Sequence, residues 1–211
     1  MIEKKQKIVI VGGTGFVGQG LIKYLSSELF EVHSISRHPF NGKPGDRTQY
    51  HAIDLSESEQ LRPIVSDADW VIDAVGILLP NPLKNQTYQN SSYEPAHQLI
   101  HLLAQEVKPK FLFISANAGP FFMRPYLKAK LAVEREMAKV LPGRAFAVYP
   151  GIIFDPARQS SYWPGVALTH LKSIAYFNKF RPVARAEFAK EVAGILTGKS
   201  SPLLRRTVNK I

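Results

Sequence analysis

The string Gly12-Gly-Thr14-Gly15-Phe16-Val17-Gly18 directly follows the β-branched run Lys7–Val11. Apolar residues at helical spacing (Phe16, Val17, Leu21, Ile22, Leu25) come next. Glycines spaced this way let the backbone turn tightly, bring main-chain N–H groups up to a pyrophosphate and let the helix lie close on the strand. The helix N-terminus adds partial positive charge toward an anion. A glycine turn that holds nothing is the plain alternative; the strand before it and the helix after it favour a phosphate cradle. The second pattern is Tyr126-Leu-Lys-Ala-Lys130. On a helix this spacing puts phenol and ammonium on one face. The ammonium is expected to favour phenolate, making Tyr126 a general acid–base near neutrality. Ser115, at the end of the apolar run Phe111–Ser115, is positioned to hydrogen-bond a carbonyl oxygen, with Asn117 a close rival. Otherwise Tyr126 simply packs and Lys130 is solvated.

The dinucleotide is read at the end of the second strand. An NAD site puts a carboxylate there for the ribose 2′-hydroxyl. This chain has Ser36-Arg37-His38, and a guanidinium suits a 2′-phosphate. NADP(H) is therefore the favoured cofactor, with NAD(H) the alternative.

The elements that must position these groups alternate. Strands are expected at 7–11, 31–36, 50–53, 70–75, 111–115 and 145–149. Helices are expected from Phe16, over 56–65, after a Ser91-Ser-Tyr-Glu94 capping box, and over about 125–140. The pattern predicts an α/β fold, a doubly wound parallel sheet with helices on both faces. Residues 151–164 read as loop, and 166–177 and 185–196 as helices. The last 60 or so residues (151–211) are expected to form a small cap on the substrate side of one domain spanning 1–211.

Composition narrows the function classes. The 211 residues are 45% hydrophobic and 21% charged, as in an ordinary globular chain able to bury a full core. With no cysteine, disulfides, iron–sulfur clusters and thiol catalysis are excluded. Of six histidines only His97 and His101 have an i,i+4 spacing, without the Glu of a zincin motif, so they read as helix surface and no metal is expected. No apolar run approaches the roughly 20 residues needed to span a bilayer, and no leader is visible, so the chain is expected to be cytoplasmic and complete. The net charge of +10 lies in one half: residues 1–110 carry −1 and residues 111–211 carry +11. No nucleic-acid signature accompanies it. A solvated surface explains it, or weak contact of residues 163–211 with an anionic membrane or acidic partner, through a helix with Leu168, Leu171, Ile174, Ala175 and Phe177 on one side and Arg181, Arg185, Arg205 and Arg206 nearby.

Together the motifs resemble the extended and atypical branch of the short-chain dehydrogenase/reductase superfamily, a Rossmann fold. The chain is similar to its short members related to accessory proteins of respiratory complex I and of fungal ubiquinone biosynthesis. The resemblance rests on Gly12–Gly18, Asp54-Leu55, Ala74-Val75-Gly76, Ser115, Tyr126/Lys130 and Tyr149-Pro150-Gly151. It implies Asp54 and Leu55 near adenine, Ala74, Val75 and Gly76 along the ribose, Lys130 on the nicotinamide ribose, and Pro150 and Gly151 beside the nicotinamide. It further implies hydride transfer to a carbonyl or quinone-like small molecule, or a non-catalytic accessory role. Two departures stand out: only ten residues separate Ser115 from Tyr126, and Tyr149 stands where relatives usually have Arg before Pro-Gly.

Overall fold

The computed structural model describes residues 4–170 and 179–208. Six strands, β1 (Gln6–Val11), β2 (Phe30–Ser36), β3 (Gln49–Ala52), β4 (Trp70–Asp73), β5 (Lys110–Ile114) and β6 (Ala145–Val148), form one parallel sheet in the order β3-β2-β1-β4-β5-β6. The chain winds outward from β1 to β3, then crosses back to β4. That reversal opens a crevice at the carboxyl ends of β1 and β4, where ligands bind in doubly wound sheets.

Strand alternation sorts the core into two layers. Ile8 and Ile10 face α1 (Phe16–Tyr24) and the late helix α6 (Arg185–Leu196), whose Phe188, Val192 and Ile195 are buried there. Val9 and Val11 face the other way, toward α2 (Ser58–Val65), α3 (Glu94–Ala104) and α4 (Arg124–Val140). Phe111 and Phe113 are fully buried on that second side, each contributing about 2–3 kcal/mol of apolar burial. α6 packs on α1 so closely that a Cβ at Gly20 would lie 2.6 Å from Cγ of Arg185. The tail thus supplies a core layer as well as covering the end of the sheet.

Two local expectations need correction. Ser91–Glu94 is not a capping box: residues Gln89–Tyr93 form a wide helical turn running into α3, whose first turn has no side-chain cap. Ser91 donates to Asn90, and Ser92 instead accepts from the Ile77 amide. The helix expected from 166 begins earlier, as α5 (Gln159–His170), despite Pro164 inside it. Gly165 permits this, because a Cβ there would lie 2.4 Å from the Phe154 ring. The apolar positions 171, 174, 175 and 177 lie outside the described residues. A short parallel pair, β7 (Ile153–Phe154) and β8 (Val183–Ala184), ties the segment after β6 to the start of α6.

Candidate functional site

The carboxyl ends of β1, β4, β5 and β6 border a cavity of about 540 Å³ lined by Phe16, Val17, Ala74, Val75, Gly76, Ser115, Tyr126, Lys130, Pro150 and Gly151 among others. A larger cleft of about 1040 Å³ lies beside α1 and residues 43–48; Thr14 and Gly15 line it, and it shares Phe16 with the smaller cavity but none of Ser115, Tyr126 and Lys130. The chemistry-bearing groups therefore gather in the smaller cavity. The glycine loop lies between the two, meeting the smaller cavity at Phe16 and Val17 and the larger cleft at Thr14 and Gly15. Gly12 has φ +81°, which favours glycine, and a Cβ at Gly18 would lie 2.4 Å from the Gly12 carbonyl oxygen. Gly15 is the N-cap of α1 with no side-chain cap bond, so the first-turn amides have no helical acceptor and are free to meet an anion. The cradle that side chains would fill fits a pyrophosphate.

Lys130 is buried, and its Nζ donates to the Ile114 carbonyl at 2.8 Å. Burial pushes the ammonium down, while the Asp73 and Glu134 carboxylates oppose that. Gly76, whose Cβ would approach Nζ to 3.6 Å, keeps the space beside it open. Beneath lies Asp73, fully buried, with Oδ1 accepting from the Val75 amide at 2.9 Å and Oδ2 without a partner. Desolvation raises its carboxyl to about 6, against the pull of Lys130.

Tyr126 reverses one expectation. Burial, helped by Tyr88, pushes its phenol up to about 12. Lys130 does not counter this, because its Nζ is committed to Ile114 and sits 5.8 Å from the Tyr126 ring centre. Ser115 lines the cavity, but its hydroxyl donates to Glu134 Oε1. Glu134 also receives Arg206, whose guanidinium lies 4.6 Å over the Tyr149 ring. The Tyr149 hydroxyl donates to Glu134 Oε2 at 3.3 Å. Arg206 thus brings a guanidinium from the tail to Tyr149, the residue before Pro150. Asn117 is not a rival to Ser115: its amide donates to Lys179 O and Thr207 Oγ1, and its oxygen accepts from the Thr207 amide. It pins the tail.

At the end of β2, Arg37 is exposed. The Ser36 hydroxyl is turned back on the His38 carbonyl. Asp54 is held below its ordinary value mainly by the Ser56 amide and hydroxyl, with Arg37 adding to the effect, and Leu55 packs against the core. One pair of contacts was not expected from the sequence. Arg158 and Arg185 both lie over the Phe16 ring, at 4.9 and 4.7 Å. Arg185 is tied to Asp155; Arg158, on the cavity wall, has no carboxylate partner among the described residues. Neither lies in a local motif, so spacing could not reveal them. Arg181 binds the Arg205 and Pro202 carbonyls. With Arg185 and Arg206 also engaged, three of the four arginines proposed for a charged outer surface are used internally.

The family model for the NAD dependent epimerase/dehydratase family matches residues 8–140. The chain belongs to that family. Its fold is the NAD(P)-binding one of the extended short-chain dehydrogenases/reductases. MIOREX complex component 2 of Saccharomyces cerevisiae is 24% identical, the match covering 82% of each chain. Among solved structures, the Bordetella bronchiseptica enzyme WbmF in complex with NADH superposes with TM-score 0.66 at 13% identity, covering 92% of this chain and 68% of WbmF. MoeE5 in complex with UDP-glucuronic acid and NAD gives 0.61 at 17%, covering 77% of this chain. The chain spans only 60% of MoeE5. Within the family fold, no helix among the described residues is long and apolar enough to cross a membrane.

Proposed function

We propose that this family member binds a nicotinamide dinucleotide, NADP(H) in preference to NAD(H), and moves hydride between it and a carbonyl or quinone-like substrate. The observation that carries this reading is a cavity that collects Phe16 and Val17 at the end of the glycine loop with Ala74–Gly76, Ser115, Tyr126, Lys130 and Pro150–Gly151. WbmF and MoeE5, which share the fold, are described with NADH and NAD. Arg37 supports the phosphorylated form, since no carboxylate ends β2. Leu78 and Leu79, half exposed on the cavity wall, favour an apolar substrate.

When bound, the nicotinamide supplies or accepts the hydride. Tyr126 gives its phenolic proton to the carbonyl oxygen during reduction and takes it back in the reverse direction. Lys130 would hold the ribose hydroxyls, and its charge would then favour the phenolate form of Tyr126. Ser115 leaves Glu134 to donate to the same carbonyl oxygen. A second reading, a non-catalytic dinucleotide holder acting through a protein or membrane partner, is favoured by the resting arrangement: Tyr126 is not activated, and Lys130 and Ser115 are both engaged. The yeast relative is itself named as a component of a complex.

A panel of aldehydes, ketones and quinones, followed by NADPH absorbance, separates the two. Turnover that disappears in Tyr126→Phe while NADPH affinity stays within about twofold supports catalysis. NADPH binding with no oxidation above buffer supports the holder. No binding of either dinucleotide refutes both.

A further inference from the structure

We propose that His97, His101 and Glu136 form a binding site for one divalent cation of the zinc class on the outer side of α3 and α4. It is separate from the dinucleotide cavity and does not depend on that reading. One helical turn apart on α3, His97 and His101 bring their ring centres to 4.5 Å. The third donor comes from α4. Glu136 Oε1 lies 2.5 Å from His97 Nδ1 and 3.1 Å from His101 Nε2, and the three donor atoms all lie within 4.8 Å of one another. Zinc bound at about 2.0–2.2 Å holds tetrahedral donors roughly 3.3–3.5 Å apart. Side-chain rotations that change the donor spacings by at most about 1.5 Å reach that arrangement.

The chemistry of the donors selects the ion. Two imidazoles and a carboxylate suit zinc and its neighbours, whereas magnesium and calcium ask for oxygen alone. Glu136 supplies the carboxylate. Its second oxygen, Oε2, is shielded from solvent and accepts no hydrogen bond of ordinary geometry. Both imidazoles thus meet one oxygen, Oε1. A cation accepting one lone pair from each ring and one from the carboxylate relieves that arrangement. The Tyr93 ring stacks on His97, 5.9 Å between centres, and limits its rotation. The imidazoles are 40% and 53% exposed, so an ion enters from solvent and a water completes the shell. Glu136 is six residues beyond Lys130 on α4, about 9 Å along the axis, so the ion touches no reacting atom. It fastens α3 to the helix that carries Tyr126 and Lys130, stabilising the fold by mass action.

The test is calorimetric titration of the metal-free full chain with zinc chloride, and with magnesium chloride in parallel. The expected result is one zinc per chain and no magnesium binding. His97→Ala, His101→Ala and Glu136→Gln should each weaken zinc at least about tenfold, with unchanged circular dichroism. His51→Ala, which alters the other hydrogen-bonded histidine pair, should leave it unchanged. Cobalt should give the intense visible absorption of a four-coordinate site in the unsubstituted chain and not in Glu136→Gln. Absence of saturable zinc binding, binding indifferent to these three substitutions, or loss on His51→Ala overturns the proposal.

Discussion

Asp73→Asn tests how the floor of the cavity is held. The carboxyl is fully buried at the end of β4, one residue before Ala74, and its group titrates near 6 instead of 3.8 because burial disfavours the anion. Folding therefore favours the protonated form. That contribution is whole below the unfolded value and is lost as the pH climbs through 3.8 to about 6. Above that window the native state carries a penalty of about 3 kcal/mol, at 1.36 kcal/mol per pH unit. Asparagine keeps the acceptor for the Val75 amide and does not titrate. Urea denaturation of both proteins from about pH 4 to pH 8 should show the variant gaining on the unsubstituted chain by about 2–3 kcal/mol across that range. Loss of Asp73 also pushes Lys130 further down, and a depressed ammonium adds stability with rising pH, which acts in the same direction. A stability difference that stays flat with pH would refute the account of Asp73 as an ionising buried group.

Arg37→Ala should erase most of an NADPH preference over NADH of about tenfold, or 1.4 kcal/mol, measured by fluorescence titration; equal affinities in the unsubstituted chain would remove Arg37 from the argument. Gly151→Ala puts a Cβ 1.3 Å from the Phe180 carbonyl oxygen and should cost at least about 3 kcal/mol in chemical denaturation; an unmoved midpoint contradicts the close passage of the two segments. Arg206→Met removes the cation from Glu134, both side chains being about 15% exposed, and should destabilise by about 2–3 kcal/mol. The further change Glu134→Gln should recover most of that loss, and a double-mutant cycle reads the coupling.

Local periodicity carried most of the fold. The β-branched run before Gly12, the alternation of Ile8 and Ile10 against Val9 and Val11, and the apolar stripes of α3 and α4 follow from how side chains project from strands and helices. The glycine loop was readable for the same reason: each glycine answers a steric demand set within a few residues or by the next strand. The Ser91–Glu94 motif failed because both its side chains are engaged elsewhere, Ser91 donating to Asn90 and Glu94 accepting from Gln89, within a helical turn that already precedes α3. Pro164 concealed the start of α5 because the demand that makes Gly165 necessary comes from Phe154, a neighbour only in space.

For the site, the sequence by itself determined which groups are present and which share a helical face: Tyr126 with Lys130, His97 with His101. Only the tertiary structure decided what those groups do at rest. Lys130 is turned to Ile114, Ser115 to Glu134, and Arg206 arrives from 72 residues away to neutralise that carboxylate. Glu136, 35 residues beyond His101, completes a triad that spacing along one helix lacked. The reason is physical: a short stretch of chain limits the directions of its own side chains, whereas burial and charge partners depend on which distant segments the packed core brings together.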